Sequence, residues 1–385
     1  MTMQFFEIKP TDTLFFRDGR PFNQDETITL AGVKSIFPPS PATVAGAIMA
    51  IYAKKMGWSG CGAWEKSIKD KLENKKTPLI FSGVFLKKGS DILFPVPQHL
   101  IELRPNGKKL KEIDNKNPCQ NKEEKNRKFN ELHELAFLTP SKDTYKTDLG
   151  EVYLPEVKNQ KDETVIKPLD GYWITQAGLE QCLKLKKPNE STLYHQSELW
   201  QLESKTGIER NYETHSVNQG MLYTSTHIRM CTDVSIVIGV ENLPIENLKN
   251  ETIAINNELM ILGGEARTAN ITNTNSIDSS IFNSTKNSNL IYIASPTPVT
   301  DPQAIPSVKT ACMPRQMRIG GWNSVTFKPL PLTPFLVPGT VLFMKTENTE
   351  VEKNWADDWA SNEFKVAQIN KIYGQSFFGE CNNDK

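Results

Sequence analysis

Histidine and cysteine are both scarce in this chain, and neither is spaced for chemistry. The five histidines (His99, His133, His195, His215, His227) form no His-x-x-x-His pair. The six cysteines (Cys61, Cys119, Cys182, Cys231, Cys312, Cys381) lie far apart, with no Cys-x-x-Cys. Those absences exclude the usual zinc spacings and a disulfide framework, and they fit a reducing cytosol. Long apolar runs are missing too: none approaches the ~20 residues of a membrane helix. Met1 to Pro10 lacks the charged-then-apolar layout of a signal peptide. There is no net charge, 45 basic residues balancing 45 acidic ones. A free-standing nucleic-acid binder usually carries a basic excess, so any nucleic-acid contact here must rest on local positive charge. Neither the phosphate-loop nor the dinucleotide fingerprint occurs, and no tandem repeat of fixed period is present. The expectation is a soluble cytoplasmic protein with no metal and no cofactor.

With 385 residues and a mean hydropathy of −0.45, the chain is long enough for two sizeable cores or one large elaborated domain. Its richest stretch runs from Phe5 to Gly57. An extended segment, Phe5 to Pro10, leads into an arginine-bearing loop with Arg17 and Arg20, followed by the Pro-rich elbow Ser35-Ile36-Phe37-Pro38-Pro39-Ser40-Pro41. A helix is predicted next, with Ser40 as N-cap, Pro41 at the first position, Lys54 and Lys55 in the last turn and Gly57 just beyond. Val44, Ala47, Ile48, Ile51 and Tyr52 form its apolar face. Gly46 inside it costs roughly 1 kcal/mol against alanine, so close packing or an approaching ligand is expected to want it bare. Backbone N–H groups at the helix start and the nearby guanidinium groups together could meet phosphate.

Further on, Gly57 to Lys76 is polar, with Trp58 and Trp64 and a second short helix. Leu79–Leu86 and Ile92–Val96 read as a hairpin, so that strand, helix and hairpin make the first half of a βαββαβ unit. The lysine- and asparagine-rich run from Arg104 to Arg127 reads as a solvated insertion. Helices are expected over Phe129–Leu138 and Thr175–Lys187. A meander follows through 207–212, Met221–Met230 and Val234–Val240, near which a second unit is expected to begin. Asn270 to Asn289 reads as a surface loop, and Leu290–Ala294 and the run after Pro338-Gly339 as strands.

Two glycine pairs stand beside basic residues: Gly263-Gly264 with Arg267, and Gly320-Gly321-Trp322 with Arg315, Arg318 and Lys328. Adjacent glycines admit a close-approaching strand, arginines hold phosphate bidentately, and an exposed indole can stack a base. The same residues also fit two tight turns with Trp322 in the core. His215 or His227 could serve as a general base for attack by an RNA 2′-hydroxyl, or be no more than hydrogen-bonded histidines.

The opening residues, with Phe94-Pro95-Val96-Pro97, Gly207-Ile208-Glu209-Arg210, Gly220-Met221-Leu222-Tyr223, Leu262-Gly263-Gly264-Glu265, Gly320-Gly321-Trp322 and Pro338-Gly339-Thr340-Val341, carry a resemblance across most of the chain. It resembles the Cmr third-subunit family of the repeat-associated (RAMP) superfamily, found in type III-B CRISPR effector complexes. The resemblance implies an α+β fold of two ferredoxin-like (RRM-related) βαββαβ units with large loop insertions. We place them at 1–200, with an insertion around 104–167, and at 201–385. It also implies a non-catalytic subunit that grips the repeat-derived 5′ tag of the CRISPR RNA (crRNA). The expected neighbours are the large polymerase-like (palm-domain) subunit and the first backbone subunit, with target RNA met only indirectly and no membrane. The candidate RNA-contacting residues are Arg17, Arg20, Ser40, Thr43, Gly46, Gly263, Gly264, Arg267, Arg315, Arg318, Gly320, Gly321, Trp322 and Lys328. The alternatives are a repeat-processing, metal-independent endoribonuclease using a histidine such as His215, and a structural adaptor with no RNA contact.

Overall fold

Helix α1, Pro41–Lys55, forms where its boundary residues ask for it. Ser40 occupies the N-cap position, its carbonyl accepting from the Thr43 and Val44 amides, although its side chain makes no capping bond. Gly57 closes the helix with φ +103°, a left-handed conformation that suits glycine, and its N–H bonds Lys54 O at 2.9 Å. Val44, Ile48, Ile51 and Tyr52 are buried as expected, and Ala45, Met49 and Ala53 join them, so the buried face is broader than the stripe. The computed structural model describes residues 3–17, 33–74, 76–105, 134–148, 150–158, 164–210, 213–214, 216–274, 289–298, 308–323, 328–345 and 376–379.

The fold is mostly strand with few helices, an α+β arrangement centred on one eight-stranded sheet. In spatial order its strands are Leu193–His195, Tyr172–Thr175, Asp91–Pro95, Ile80–Lys88, Val234–Glu241, Gln4–Pro10, Thr268–Thr274 and Glu258–Ile261. Alternation sorts its side chains onto two faces. Phe6, Ile8, Phe81, Ile236 and Ile238 pack with α1 in one core. Phe5, Phe85, Phe94 and Val237 point the other way, into a second core shared with Leu290, Tyr292, Phe343 and Phe377. Those last residues belong to a four-stranded sheet ordered Val308–Cys312, Val341–Met344, Leu290–Ile293, Ser376–Gly379. The layers are thus α1, large sheet, small sheet. Each buried phenylalanine contributes about 1.5–3 kcal/mol through burial of apolar surface. Tyr292 Oη donates to Pro95 O at 2.7 Å and ties the two sheets together.

Both sheets contain the same strand permutation. Counted along the chain, Thr268–Thr274, Gln4–Pro10, Val234–Glu241 and Ile80–Lys88 lie in the order 4-1-3-2, all neighbours antiparallel. The strands Ser376–Gly379, Leu290–Ile293, Val341–Met344 and Val308–Cys312 repeat that order, again antiparallel. In each block the link between the second and third strands carries a hairpin. In the first it is the long hairpin Trp200–Arg210 with Val217–Met230. In the second it is a shorter arm, Met317–Asn323 with Lys328–Leu336.

Several elements differ from the sequence expectation. The large sheet draws strands from both sides of residue 200, because Val234–Glu241 and Thr268–Thr274 flank the amino-terminal strand. The helix expected over Phe129–Leu138 is instead the strand Glu134–Pro140, paired with Leu100–Pro105 and Pro155–Val157; residues 129–133 lie outside the described ones. Its neighbours offer a ladder on both sides, so tertiary pairing outweighs helix propensity. The helix after Thr175 is only Gln176–Cys182, since Leu185 takes φ +52° and turns the chain out of the helix. Asn270–Thr274 is strand rather than loop. The basic run 106–127 and the acidic stretch 347–358 lie outside the described residues.

Candidate nucleic-acid interface

The arginine-bearing loop is held from three sides. Leu14 exchanges backbone hydrogen bonds with Ile228 of the long hairpin, at 2.9 and 2.8 Å. Phe15 O accepts from Gly264 N at 2.8 Å, which brings the 262–267 turn alongside. Phe16 N donates to Ser35 Oγ at 2.7 Å and Phe16 O accepts from Ile36 N at 2.9 Å, so the loop is paired with the elbow that starts α1. Phe37 of that elbow lies against Phe16 and Trp200, at ring-centroid separations of 6.3 and 4.8 Å. Arg17, the elbow before Ser40, and the Gly263–Arg267 turn therefore meet at one junction.

Charge at this junction is largely consumed inside the protein. Arg229 pairs with Asp12 at 3.0 Å and with Glu203, Lys205 reaches Asp12 and Glu203 at 3.5 and 3.4 Å, and Arg267 pairs with Glu265 at 3.1 Å. The Thr13 backbone and the Arg229 guanidinium hold the Asp12 carboxyl below its usual range. Beneath this network lies His227, 0% exposed and stacked on Phe15 at 5.0 Å. Its Nδ1 is 3.3 Å from Thr13 Oγ1, and its Nε2 is 3.0 Å from Ser225 Oγ and 3.2 Å from Glu265 Oε2. Burial lowers its pKa; Glu265 opposes that shift, while Arg267 and Lys205 reinforce it. Hydroxyl, imidazole and carboxylate in a row suggest a hydrolase, yet Thr13 and His227 are sealed from solvent and Lys205 Nζ donates to the Thr13 hydroxyl at 2.7 Å. Neither group can reach a substrate, and the cluster is structural.

The glycines are used internally. Gly263 has φ +83°, and a Cβ there would collide with the Phe15 carbonyl oxygen. A Cβ on Gly264 would meet the Phe15 ring at 3.0 Å. On the arm, Cβ atoms at Gly320 and Gly321 would meet Leu332 and Leu330 at 2.9 and 3.0 Å. The close approach expected of a ligand is made in each case by the protein's own chain. Gly46 differs: it is exposed and nothing lies within 4 Å of its missing Cβ, which rules out internal packing as its reason.

On the arm the cations stand apart. Arg315, Arg318 and Lys328 are exposed and, among the described residues, have no ion-pair partner. From Pro302 to Lys345 the sequence holds five cations (Lys309, Arg315, Arg318, Lys328, Lys345) and no carboxylate. The Trp322 backbone pairs opposite Pro329. Thus Arg17, Gly263, Gly264 and Arg267 assemble with the start of α1, where Thr43 and Gly46 are exposed, while the Gly320 group forms a separate patch in another sheet. Arg20 and His215 lie outside the described residues. Sequence reasoning missed the set Thr13, Lys205, Ser225 and Glu265 around His227. The alternation Ser225-x-His227-x-Arg229 on one strand face was its available signal.

The family model described as CRISPR-associated protein (Cas_Cmr3) matches residues 6–376. No curated protein matches the chain. Among solved structures, it is similar to a chain of type III-B Cmr-beta bound to cognate target RNA and AMPPnP, at 16% identity and TM-score 0.50, over 96% of this chain and 94% of that one. A chain of type III-B Cmr-beta bound to cognate target RNA gives 16% and 0.49, over 88% and 86%. One from the Csm3-Csm4 subcomplex of the type III-A CRISPR-Cas interference complex gives 12% and 0.36, over 90% and 94%. At such identities the first likeness concerns the fold, and the other two carry no argument. No helix among the described residues is long and apolar enough to cross a membrane.

Proposed function

We propose, since this chain belongs to the Cas_Cmr3 family of CRISPR-associated proteins, that it is a non-catalytic RNA-binding subunit of a type III-B (Cmr) RNA-guided effector complex. It grips the repeat-derived 5′ tag of the crRNA and docks the large polymerase-like subunit to the first backbone subunit. The observation that carries the RNA contact is the arm: Arg318 and Lys328 on its hairpin and Arg315 just before it are exposed and unneutralised by any described carboxylate, in a segment without acidic residues. Single-stranded RNA bound by such groups is held through its phosphates, with little demand on base identity. A second contact lies at the start of α1, where the helix N-terminus, Thr43, bare Gly46 and Arg17 face outward. Arg267 lies beside it, with its guanidinium engaged by Glu265 at 3.1 Å.

The two 4-1-3-2 blocks support reading the fold as a pair of ferredoxin-like units. On that reading the first runs from residue 4 to 274 and the second from 290 to 379, each enlarged between its second and third strands. Zero net charge suits a subunit whose remaining faces are covered by neighbours.

Replacing Arg315, Arg318 and Lys328 together by alanine tests the reading. Fluorescence anisotropy with a tag-bearing RNA oligonucleotide, repeated across salt concentrations on the assembled complex, should show weaker binding. The slope of log K against log salt should flatten by about 2, at ~0.7 per lost single-strand phosphate contact. An unchanged slope would remove the arm from the interface. Crosslinks from the crRNA 5′ end that land only on other subunits would reduce the chain to an adaptor.

A further inference from the structure

The structure assigns His227 as a positioning residue, a buried side chain that sets the Asp12–Arg17 loop and the Gly263–Arg267 turn against the long hairpin. Its RNA consequence rests on the function proposed above; its structural part does not. The hydrogen-bond pattern has a single direction. The Glu265 carboxylate beside Nε2 only accepts, so Nδ1 is the acceptor of the neutral ring. It takes the Thr13 hydroxyl proton at 3.3 Å, while Lys205 Nζ donates to Thr13 Oγ1 at 2.7 Å. With Nδ1 accepting, the neutral ring carries its proton on Nε2 and donates toward Ser225 Oγ at 3.0 Å and Glu265 Oε2 at 3.2 Å. Glu265 is in turn held by Arg267 at 3.1 Å. One imidazole therefore joins three stretches that are remote in sequence, with its two nitrogens facing opposite partners.

The ring is fully buried and stacked on Phe15. The charged groups around it are Asp12 on the loop, Glu203, Lys205 and Arg229 on the hairpin, and Glu265 and Arg267 on the turn. They are balanced, three of each sign, so the neutral tautomer is the form that fits. Phenylalanine would keep the ring and the stack while silencing both nitrogens; glutamine would keep a donor and an acceptor without the ring.

Hydrogen exchange on the full chain tests this directly. In His227→Phe the amides of Leu14 and Gly264, which bond Ile228 O and Phe15 O, should exchange roughly ten- to a hundredfold faster, the loss expected when buried polar partners are left unmet. The Leu290–Ile293 amides should not change. His227→Gln should recover part of the protection. Exchange at Leu14 and Gly264 within twofold of the parent in His227→Phe would overturn the assignment. Should that variant fail to fold, Glu265→Ala removes the acceptor and interrupts the same chain from its partly exposed end. It should speed the same two amides, and unaltered exchange there would count equally against the proposal. Anisotropy with the tag RNA separates the two claims. Faster exchange with unaltered RNA affinity upholds the positioning role and removes this face from the RNA contact.

Discussion

The long hairpin and the arm occupy the same topological place in two blocks of identical strand order, yet they treat charge in opposite ways. At the base of the long hairpin Lys205 and Arg229 are matched by Asp12 and Glu203, and a histidine is buried under them. On the arm Arg315, Arg318 and Lys328 stand exposed in a segment without a carboxylate. Ion pairs of the first kind orient loops and contribute little net energy. Cations of the second kind keep their capacity for a polyanion. An arginine in a sequence is thus a candidate for either role, and the neighbouring carboxylates separate the two.

Glycine substitutions should break the comparison most sharply. Gly263→Ala forces a left-handed φ on a residue with a Cβ and drives that Cβ into the Phe15 carbonyl. A loss of about 3 kcal/mol is expected in urea unfolding. Gly320→Ala meets only the end of the half-exposed Leu332 side chain, and should change stability by less than about 1 kcal/mol. Equal losses at the two positions would dissolve the distinction.

Acid should separate the regions next. The arm has neither carboxylate nor histidine between residues 302 and 345, so its RNA contribution should be flat from mildly acidic to neutral pH. Among the described residues the body holds two buried histidines whose folded pKa is lowered. Burial takes His99 to about 4, and burial lowers His227 as well. Such groups bind a proton in the unfolded chain first, so their stability contribution is complete above the ordinary histidine pKa. It is lost as pH falls toward the folded value. For His99 that loss reaches about 3 kcal/mol near pH 4. Thermal unfolding across pH should show it, and His99→Gln should remove the part that extends lowest.

Smaller effects sharpen the picture. Gly46→Ala should raise stability by about 1 kcal/mol, since the position is an exposed helix interior with open space beside it. If RNA passes over α1, the same change weakens tag binding while the melting temperature rises. Arg229→Ala should lower stability only slightly, because its pairs with Asp12 and Glu203 are exposed. A larger loss in urea unfolding would mean the network is a structural element in its own right.

Much of the local structure was legible. Ser40-Pro41 and Gly57 mark α1, and short apolar runs mark Phe5–Pro10 and Leu79–Leu86, because capping and local apolar patterning act over a few residues. Pairing was not legible. The strand after Ile80–Lys88 along the chain is Asp91–Pro95, and the two form a hairpin as expected, but the 4-1-3-2 block is completed by Val234–Glu241. Nothing in Val234–Glu241 itself names Gln4–Pro10 as its neighbour. The candidate site divided for the same reason: Arg17 and Gly263 meet through Phe15, while Gly320, similar in its local sequence, folds into another sheet.

By itself the sequence determined the punctuation of the chain, its family stations and the acid-free run from Pro302 to Lys345, since each is a property of neighbouring residues. Tertiary structure alone decided which glycines are pressed against their own backbone, which arginines are matched by carboxylates, and that His227 is sealed beneath Phe15. Most of these depend on contacts between residues remote in sequence, such as Arg229 with Asp12 and Gly263 with Phe15. Such contacts exist only once two sheets and a helix have closed around their cores.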